Sequence, residues 1–515
     1  MKNYATLLRI LVLTILVGVS TIPTPSSHAG NEIKVTYNQQ RIAFQTQPFV
    51  QNGSTFVETR PLAQKLGLQV DWIDKTKFKL SKSDLAIVME VNKKLAYLNN
   101  DIVNLTAAPL LKGSTLFLPL RSVVSLLDLG IHWYAATHTI EITENSAQSM
   151  PVPDKSSYKI VAYYPYWGTY QKFDVKQTDA SNLTHINYAF ANVKDGQVVN
   201  GDYWADQVNF PELRKLKQAN PKLRTLISIG GWTWSEFFSD IALSQYSRTK
   251  FADSAVKFMR DNGFDGIDLD WEYPVAGGLA SNSARAEDKI NFTLLLRTIR
   301  DKLDAVQLKD GNTYSLTIAA GAFPSYASNT EIAKVASIVD WINLMTYDYH
   351  GNWEKKSNHN APLYADPADS TSAKSNIHHT VNTFLNEGVP ANKLVLGIPM
   401  YGRGWTGCAQ TNQGLYQTCK DVSQGTTANG VHEYDELEKM GWINGNGFVR
   451  YWNDNAKVPW LYKKTTGTLI VYEDPESIAY KAEYIRSKGL GGAMLWEISQ
   501  DDNRTLLNKL VSSLK

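Results

Sequence analysis

Residues 264–274 read FDGIDLDWEYP, and the placing of this stretch decides the fold. Four acidic residues, Asp265, Asp268, Asp270 and Glu272, fall within eight positions. In an extended chain successive side chains point to opposite faces, so Asp268, Asp270 and Glu272 share one face and Ile267, Leu269 and Trp271 the other. The bulky apolar face predicts an interior strand. A buried carboxylate is costly unless it is paired or hydrogen-bonded, so three in a row point to chemistry rather than packing. A solvated edge strand would not carry that apolar face. A calcium loop needs Gly at its sixth position and Glu at its twelfth, whereas Tyr273 and then Pro274 follow Glu272 here.

Working outward, the acidic strand is the fourth of eight short apolar runs: KIVAYY, LTHINYAF, LRTLISIG, FDGIDLD, YSLTIAAG, VDWINLMT, KLVLGIPM and GLGGAMLW. Helical signals lie between them, such as Phe251, Ala255, Phe258 and Met259 on one face with Gly263 just past the end. Eight strand–helix units over residues 158–515 predict an α/β fold, a (β/α)8 barrel whose site lies at the C-terminal ends of the strands. A doubly wound open sheet would usually bring a Gly-rich phosphate loop after the first strand, and none is present. Roughly 90 residues separate the seventh and eighth runs, too many for one helix and a loop. Within them, about 404–468 reads as an α+β insertion raised on one rim of the barrel.

Upstream, GSTFVETRPLAQKLGLQVDW (53–72) resembles GSTLFLPLRSVVSLLDLGIHW (113–133), with Phe56, Arg60 and Trp72 matching Phe117, Arg121 and Trp133. Each unit reads as strand, short amphipathic helix, strand, which predicts a small two-repeat α+β domain over 31–145. Arg60 and Arg121 read as structural partners of backbone or carboxylate. The polar, proline-containing stretch 146–157 reads as a linker. Residues 1–29 carry Lys2 and Arg9, the apolar run ILVLTILVGV and small residues at Ser27 and Ala29, the pattern of a secretory signal too short to span a membrane. No later run is long enough to span, so the expectation is a secreted or cell-surface-associated monomer.

With 43% hydrophobic residues, 20% charged residues and a net charge of +2, the composition gives no reason to expect nucleic acid or an anionic membrane as a partner. Fourteen Trp and 26 Tyr offer flat faces that suit sugars as well as cores. The two cysteines, Cys408 and Cys419, are expected to pair after export, closing a short loop and stabilising it by ~3 kcal/mol. Neither they nor His132 and His138 form a metal-ligand cluster, so no metal or other cofactor is expected.

DGIDLDWE resembles the DxxDxDxE signature of family 18 glycoside hydrolases, the chitinase family. SIGGW (228–232), MTYD (345–348), GIPMYGRGW (397–405) and MLWE (494–497) resemble that family's motifs on the third, sixth, seventh and eighth strands. The 31–145 region resembles the repeat domain at the N-terminus of some copper amine oxidases. It reads as a packing or cell-surface module, with a surface polymer as its candidate ligand, and brings no copper site.

Cleaving a glycosidic bond needs a proton for the leaving oxygen and stabilisation of positive charge at the anomeric carbon. Glu272, last on the strand, is the expected proton donor, its pKa raised by desolvation and neighbouring charge. Asp268 and Asp270, one pleat apart, are expected to share a proton. Residue spacing leaves open whether a second carboxylate attacks the sugar. The resemblance implies instead that the substrate's own acetamido group attacks, with Asp270 holding its N–H and Tyr347 donating to its oxygen.

The resemblance and strand-end positions also imply sugar contacts from Trp232, Trp496, Met345, Asp348, Tyr401 and Arg403. Tyr163 and Phe190 are expected on the pocket floor, and Trp167 along the groove. Asp265, Gly230 and Gly231 read as structural. The implied substrate is chitin or its oligosaccharides. A peptidoglycan or N-glycan hydrolase of the same family is the alternative, and a catalytically silent chitin-binding lectin would typically lack the acid present here as Glu272.

Overall fold

The acidic stretch forms the strand Gly266–Asp270, every residue of it buried. It is the fourth of eight parallel strands: β1 (Lys159–Pro165), β2 (His185–Lys194), β3 (Arg224–Gly230), β4 (Gly266–Asp270), β5 (Ser315–Gly321), β6 (Trp341–Met345), β7 (Leu394–Pro399) and β8 (Gly492–Trp496). Each pairs in parallel with the next, and β1 pairs with both β2 and β8, so the sheet closes into a barrel. The structure is a computed structural model describing residues 32–144 and 158–515, apart from 39, 83–84, 99–100, 106, 128, 135–136 and 370–372. The secretory signal and the linker expected from sequence lie outside the described residues.

The outward faces of the strands bury Ile227, Ile229, Ile267, Leu269, Trp271, Leu316 and Ile318 against the surrounding helices. Each such side chain contributes about 1.5–3 kcal/mol when fully buried. The helix Gln245–Asn262 supplies Phe251, Ala255 and Met259 to this layer. It starts at Ser244, whose hydroxyl accepts the Ser247 N–H, and stops at Gly263 with φ 77°. The inward faces differ. Asn187, Ser228, Asp268, Thr317 and Asn343 are all fully buried, where barrel interiors usually carry branched aliphatics.

Asp265, at the opposite end of β4 from Glu272, is structural. It accepts the Thr225 N–H at 2.8 Å and pairs with Lys217 at 2.7 Å, tying the helix Tyr203–Ala219 to two strands.

Between β7 and β8 the chain forms a second sheet from Tyr401–Thr406, Asp421–Val422, Val431–Glu433, Phe448–Asn453, Val458–Lys463 and Thr468–Val471, with the short helix Tyr434–Lys439. Cys408 and Cys419 are joined by a disulfide at its edge, beside buried Trp405, Trp460 and Leu469.

The N-terminal unit is a separate compact body of three sheets with its own core. The repeat is visible in it: Ser54–Glu58 and Thr115–Pro119 pair antiparallel, and each runs into a helix, Thr59–Leu66 and Leu120–Leu126. Arg60 and Arg121, read from sequence as structural partners, are both exposed. The buried polar anchor is Glu58, whose carboxylate accepts the Gln45 and Thr46 N–H groups at 2.8 and 2.9 Å. Among the described residues no helix is long and apolar enough to cross a membrane.

Candidate active site

β4 ends at the barrel mouth, and the alternation expected from sequence carries its three acids into the interior at successive heights. Asp268, deepest, is fully buried and accepts hydrogen bonds from Tyr163 Oη (2.7 Å), Ser228 Oγ (2.8 Å), Thr317 Oγ1 and Asn343 Nδ2 (3.3 Å). Those donors come from β1, β3, β5 and β6. Burial raises its pKa, opposed by the hydrogen bonds of Thr317, Tyr163 and Ser228.

Asp270, one pleat higher, is 3% exposed, and its Oδ1 has no protein partner. Burial, and then the charges of Glu272 and Asp268, hold it well above the usual carboxylate range. Burial pushes Glu272 up to about 7, with a Tyr273 hydrogen bond pulling down and the Asp348 charge pushing up.

Above this row opens a cavity of about 780 Å³. Asp270, Glu272, Tyr347, Met345, Tyr163 and Trp496 line its inner part. Tyr347 Oη has Met494 Sδ at 3.9 Å as its neighbour, and burial raises its pKa well above 10.0, so the hydroxyl remains a donor. Trp496 ends β8 with its ring at 5.4 Å from Tyr163. Trp232, 49% exposed, also borders the cavity, with a free aromatic face at the rim.

Gly230 and Gly231 precede it at φ 109° and 79°. A Cβ at Gly230 would lie 2.3 Å from the Asp270 carbonyl oxygen, and one at Gly231 2.7 Å from the Phe190 ring, so neither position admits a side chain.

Asp348, Tyr401 and Arg403 form one unit. Tyr401 Oη (2.7 Å), Arg403 Nε (2.9 Å) and Arg403 Nη2 (2.6 Å) all donate to Asp348 Oδ1. Asp348 has φ 55°, a left-handed conformation that Asp tolerates better than most residues. Its N–H is held by Asn360 Oδ1 at 2.8 Å. Asp348 and Arg403 line the cavity, while Tyr401 is buried behind them.

Phe190 is buried beside Trp496, ring to ring at 5.8 Å, in one cluster with Tyr163, Met345 and Tyr347, and a Cβ at Gly231 would run into its ring. Trp167 stands beside it, 6.5 Å from Phe190 and 6.3 Å from Trp496.

The structure adds cavity residues that the sequence reading passed over. Tyr273, Phe323 and Tyr349 lie within four residues of the strand ends Asp270, Gly321 and Met345, and that position was the available signal. Trp353 and Lys374 come from the long segment after β6, where no local pattern marks them; Trp353 stacks with the Arg403 guanidinium at 5.1 Å. Among the described residues no cluster of His, Cys, Asp or Glu is arranged to hold a metal.

Comparison with known proteins agrees with this architecture. Residues 159–501 match the family Glycosyl hydrolases family 18, and residues 36–142 match the Copper amine oxidase N-terminal domain. Chitinase A1 of Niallia circulans is 50% identical over 410 residues, covering 70% of this chain and 58% of that protein, so this chain spans under two thirds of that relative's length. Chitinase ChiA74 from Bacillus thuringiensis superposes with a TM-score of 0.67 at 43% identity, covering 70% of each chain. A family 18 N-acetylglucosaminidase from Paenibacillus barengoltzii superposes at 0.62 with 37% identity, covering 69% of this chain and 99% of that one. Residues 159–501, with the closed barrel and its inward acidic row, make this chain a member of glycosyl hydrolase family 18, preceded by a copper amine oxidase N-terminal-type domain.

Proposed function

We propose that this chain is a secreted chitinase, hydrolysing β-1,4-linked N-acetylglucosamine polymers or oligomers by substrate-assisted, retaining catalysis. The observation that carries this reading is the convergence of Glu272, Asp270, Tyr347 and Trp496 on one cavity. Glu272, with its carboxyl at about 7, is about half protonated at neutrality and gives its proton to the leaving oxygen. As the bond breaks, the substrate's acetamido oxygen attacks the anomeric carbon and an oxazolinium ion forms. Asp270 holds the acetamido N–H and balances the positive charge as it develops, while the Tyr347 hydroxyl donates to the acetamido oxygen. Water then attacks the anomeric carbon from the face that the leaving group vacated, opposite the acetamido oxygen, with Glu272 now acting as base, so the oxazolinium C–O bond breaks and β configuration is kept.

Trp496 floors the sugar being cleaved, and Met345 and Tyr163 wall it. Trp232 stacks the sugar on the leaving-group side. Asp348, fixed by Tyr401 and Arg403, hydrogen-bonds the sugar and holds negative charge near Glu272. The leader sequence supports export, and the N-terminal unit is assigned to a cell-surface polymer. A second reading, release of single N-acetylglucosamine units from chain ends, draws on the N-acetylglucosaminidase likeness.

The test incubates the protein with chitin, chitosan and peptidoglycan side by side and follows products by chromatography and anomer-resolved NMR. Short β-anomeric N-acetylglucosamine oligomers from chitin, abolished by Glu272→Gln, are expected. Hydrolysis of peptidoglycan alone, α-anomeric products, or full activity in Glu272→Gln overturns the reading.

A further inference from the structure

Glu272 lies two residues beyond the last residue of β4, so no neighbouring strand holds its backbone in a ladder. Both of its main-chain polar groups are nonetheless bound, each by a side chain from a different loop. The Glu272 N–H donates to Ser235 Oγ at 2.8 Å, from the loop after β3. The Glu272 carbonyl accepts from Asn282 Nδ2 at 2.8 Å, from the loop after β4.

Ser235 is fully buried and completes a knot: its hydroxyl lies 2.8 Å from the Gly231 carbonyl oxygen and 3.2 Å from that of Asp270, and the Gly231 N–H donates to the same Asp270 carbonyl at 2.8 Å. The two loops also hold each other, the Ser283 N–H donating to the Glu236 carbonyl at 3.1 Å. Gly278 closes the clamp from outside. With φ 73°, its Cβ would sit 2.1 Å from the Glu272 carbonyl oxygen and 2.7 Å from Asn282 Nδ2, so only glycine lets the loop come this near.

A residue held at both its N–H and its C=O has its two flanking peptide units fixed, which sets the direction of the Cα–Cβ bond between them, and hence where the carboxyl reaches. A buried N–H deprived of its partner is costly, so the backbone would shift to recover one. Displacement of a catalytic group by about 1 Å is enough to cost on the order of 10²-fold in rate.

We propose that Ser235 and Asn282 are positioning residues for the proton donor, clamping the Glu272 backbone from two loops; this rests on Glu272 being that donor. The test compares substrates whose need for the proton differs. A chito-oligosaccharide expels a sugar alkoxide and depends on general acid, whereas dinitrophenyl chitobioside expels a stable phenolate and hardly does. Ser235→Ala and Asn282→Ala are each expected to lower kcat/KM on the oligosaccharide by about 10- to 100-fold, while kcat/KM on the dinitrophenyl substrate, which reports the bond-breaking step before Glu272 acts as base, stays within about threefold.

Ser235→Thr, which keeps the hydroxyl, is expected to restore oligosaccharide turnover. Where Ser235→Ala does not fold, Asn282→Asp, of unchanged size but lacking the donor, takes its place in the comparison. Equal losses on both substrates would show a general structural role, and wild-type turnover of the oligosaccharide would show no role; either overturns the proposal. Glu272→Gln is run beside them: if it retains oligosaccharide turnover, the assignment of the donor has failed, which is a different result from a failed clamp.

Discussion

Asp268 and Asp270 share one face of one strand and are both buried, yet Asp268 accepts four side-chain hydrogen bonds while Asp270 Oδ1 has no protein partner. The deeper acid is thus tied into the barrel by four strands, whereas Oδ1 of the shallower one meets no protein donor.

This contrast predicts opposite stability effects. Asp268→Ala strands four donors in the interior and should cost on the order of 2–5 kcal/mol. Asp270→Asn removes an unsatisfied buried acid and should leave Tm unchanged or slightly raised, while lowering kcat by about 10²-fold or more. Thermal melts and initial rates on both variants check the pair. A large loss of Tm in Asp270→Asn would contradict the reading.

The proposed role of Glu272 as proton donor predicts an alkaline limit on turnover. Glu272, raised to about 7, works only when protonated, so kcat/KM should fall about tenfold per pH unit above that value. Asp348→Asn removes a neighbouring negative charge that helps raise it and leaves Arg403 uncompensated. Both changes favour the ionised Glu272, so the limb should move to lower pH. A pH–rate profile of the two proteins reads the direction.

Stability should also decline toward alkaline pH. Burial pushes Glu497 up to about 8 and Asp501 up to about 7, outweighing the N–H groups of Ser499 and of Leu506 and Leu507 that favour their ionised forms. Between the unfolded and folded pKa values the native state holds protons that the unfolded chain has released, so raising the pH favours unfolding. Each group contributes a slope of about 1.4 kcal/mol per pH unit over its window, from roughly pH 4–4.5 up to its folded value. Urea midpoints from pH 5 to 8 should fall steadily, and those of Glu497→Gln should fall less.

The disulfide should matter locally. Cys408 and Cys419 are 11 positions apart, and reducing a bridge over so short a loop costs about 3 kcal/mol of the unit it closes. Cys408→Ser with Cys419→Ser should leave the barrel folded and increase proteolytic cutting of the 401–471 sheet. Limited proteolysis with mass mapping distinguishes this from global unfolding.

Much of this protein follows from local pattern. The alternation of FDGIDLDWEYP alone sets Asp268, Asp270 and Glu272 opposite Leu269 and Trp271, because side-chain direction in a strand has period two. Eight apolar runs separated by helical segments imply the barrel, because burying both faces of a parallel sheet demands that rhythm. The 61-residue offset between Phe56 and Phe117 reveals the two-fold N-terminal unit.

What each acid does depended on residues far away in the chain. Tyr163, Ser228, Thr317 and Asn343 make Asp268 a satisfied anchor, and they meet it only because four other strands pass beside it. Phe190 packs beside Trp496 in the room that Gly231 leaves, and Trp353 joined the cavity from a segment without periodicity. Ser235 and Asn282 reach Glu272 from two loops. Hydrogen-bond partners are chosen by distance in space, which closure of the barrel sets, whereas the facing of a side chain is set by its own backbone.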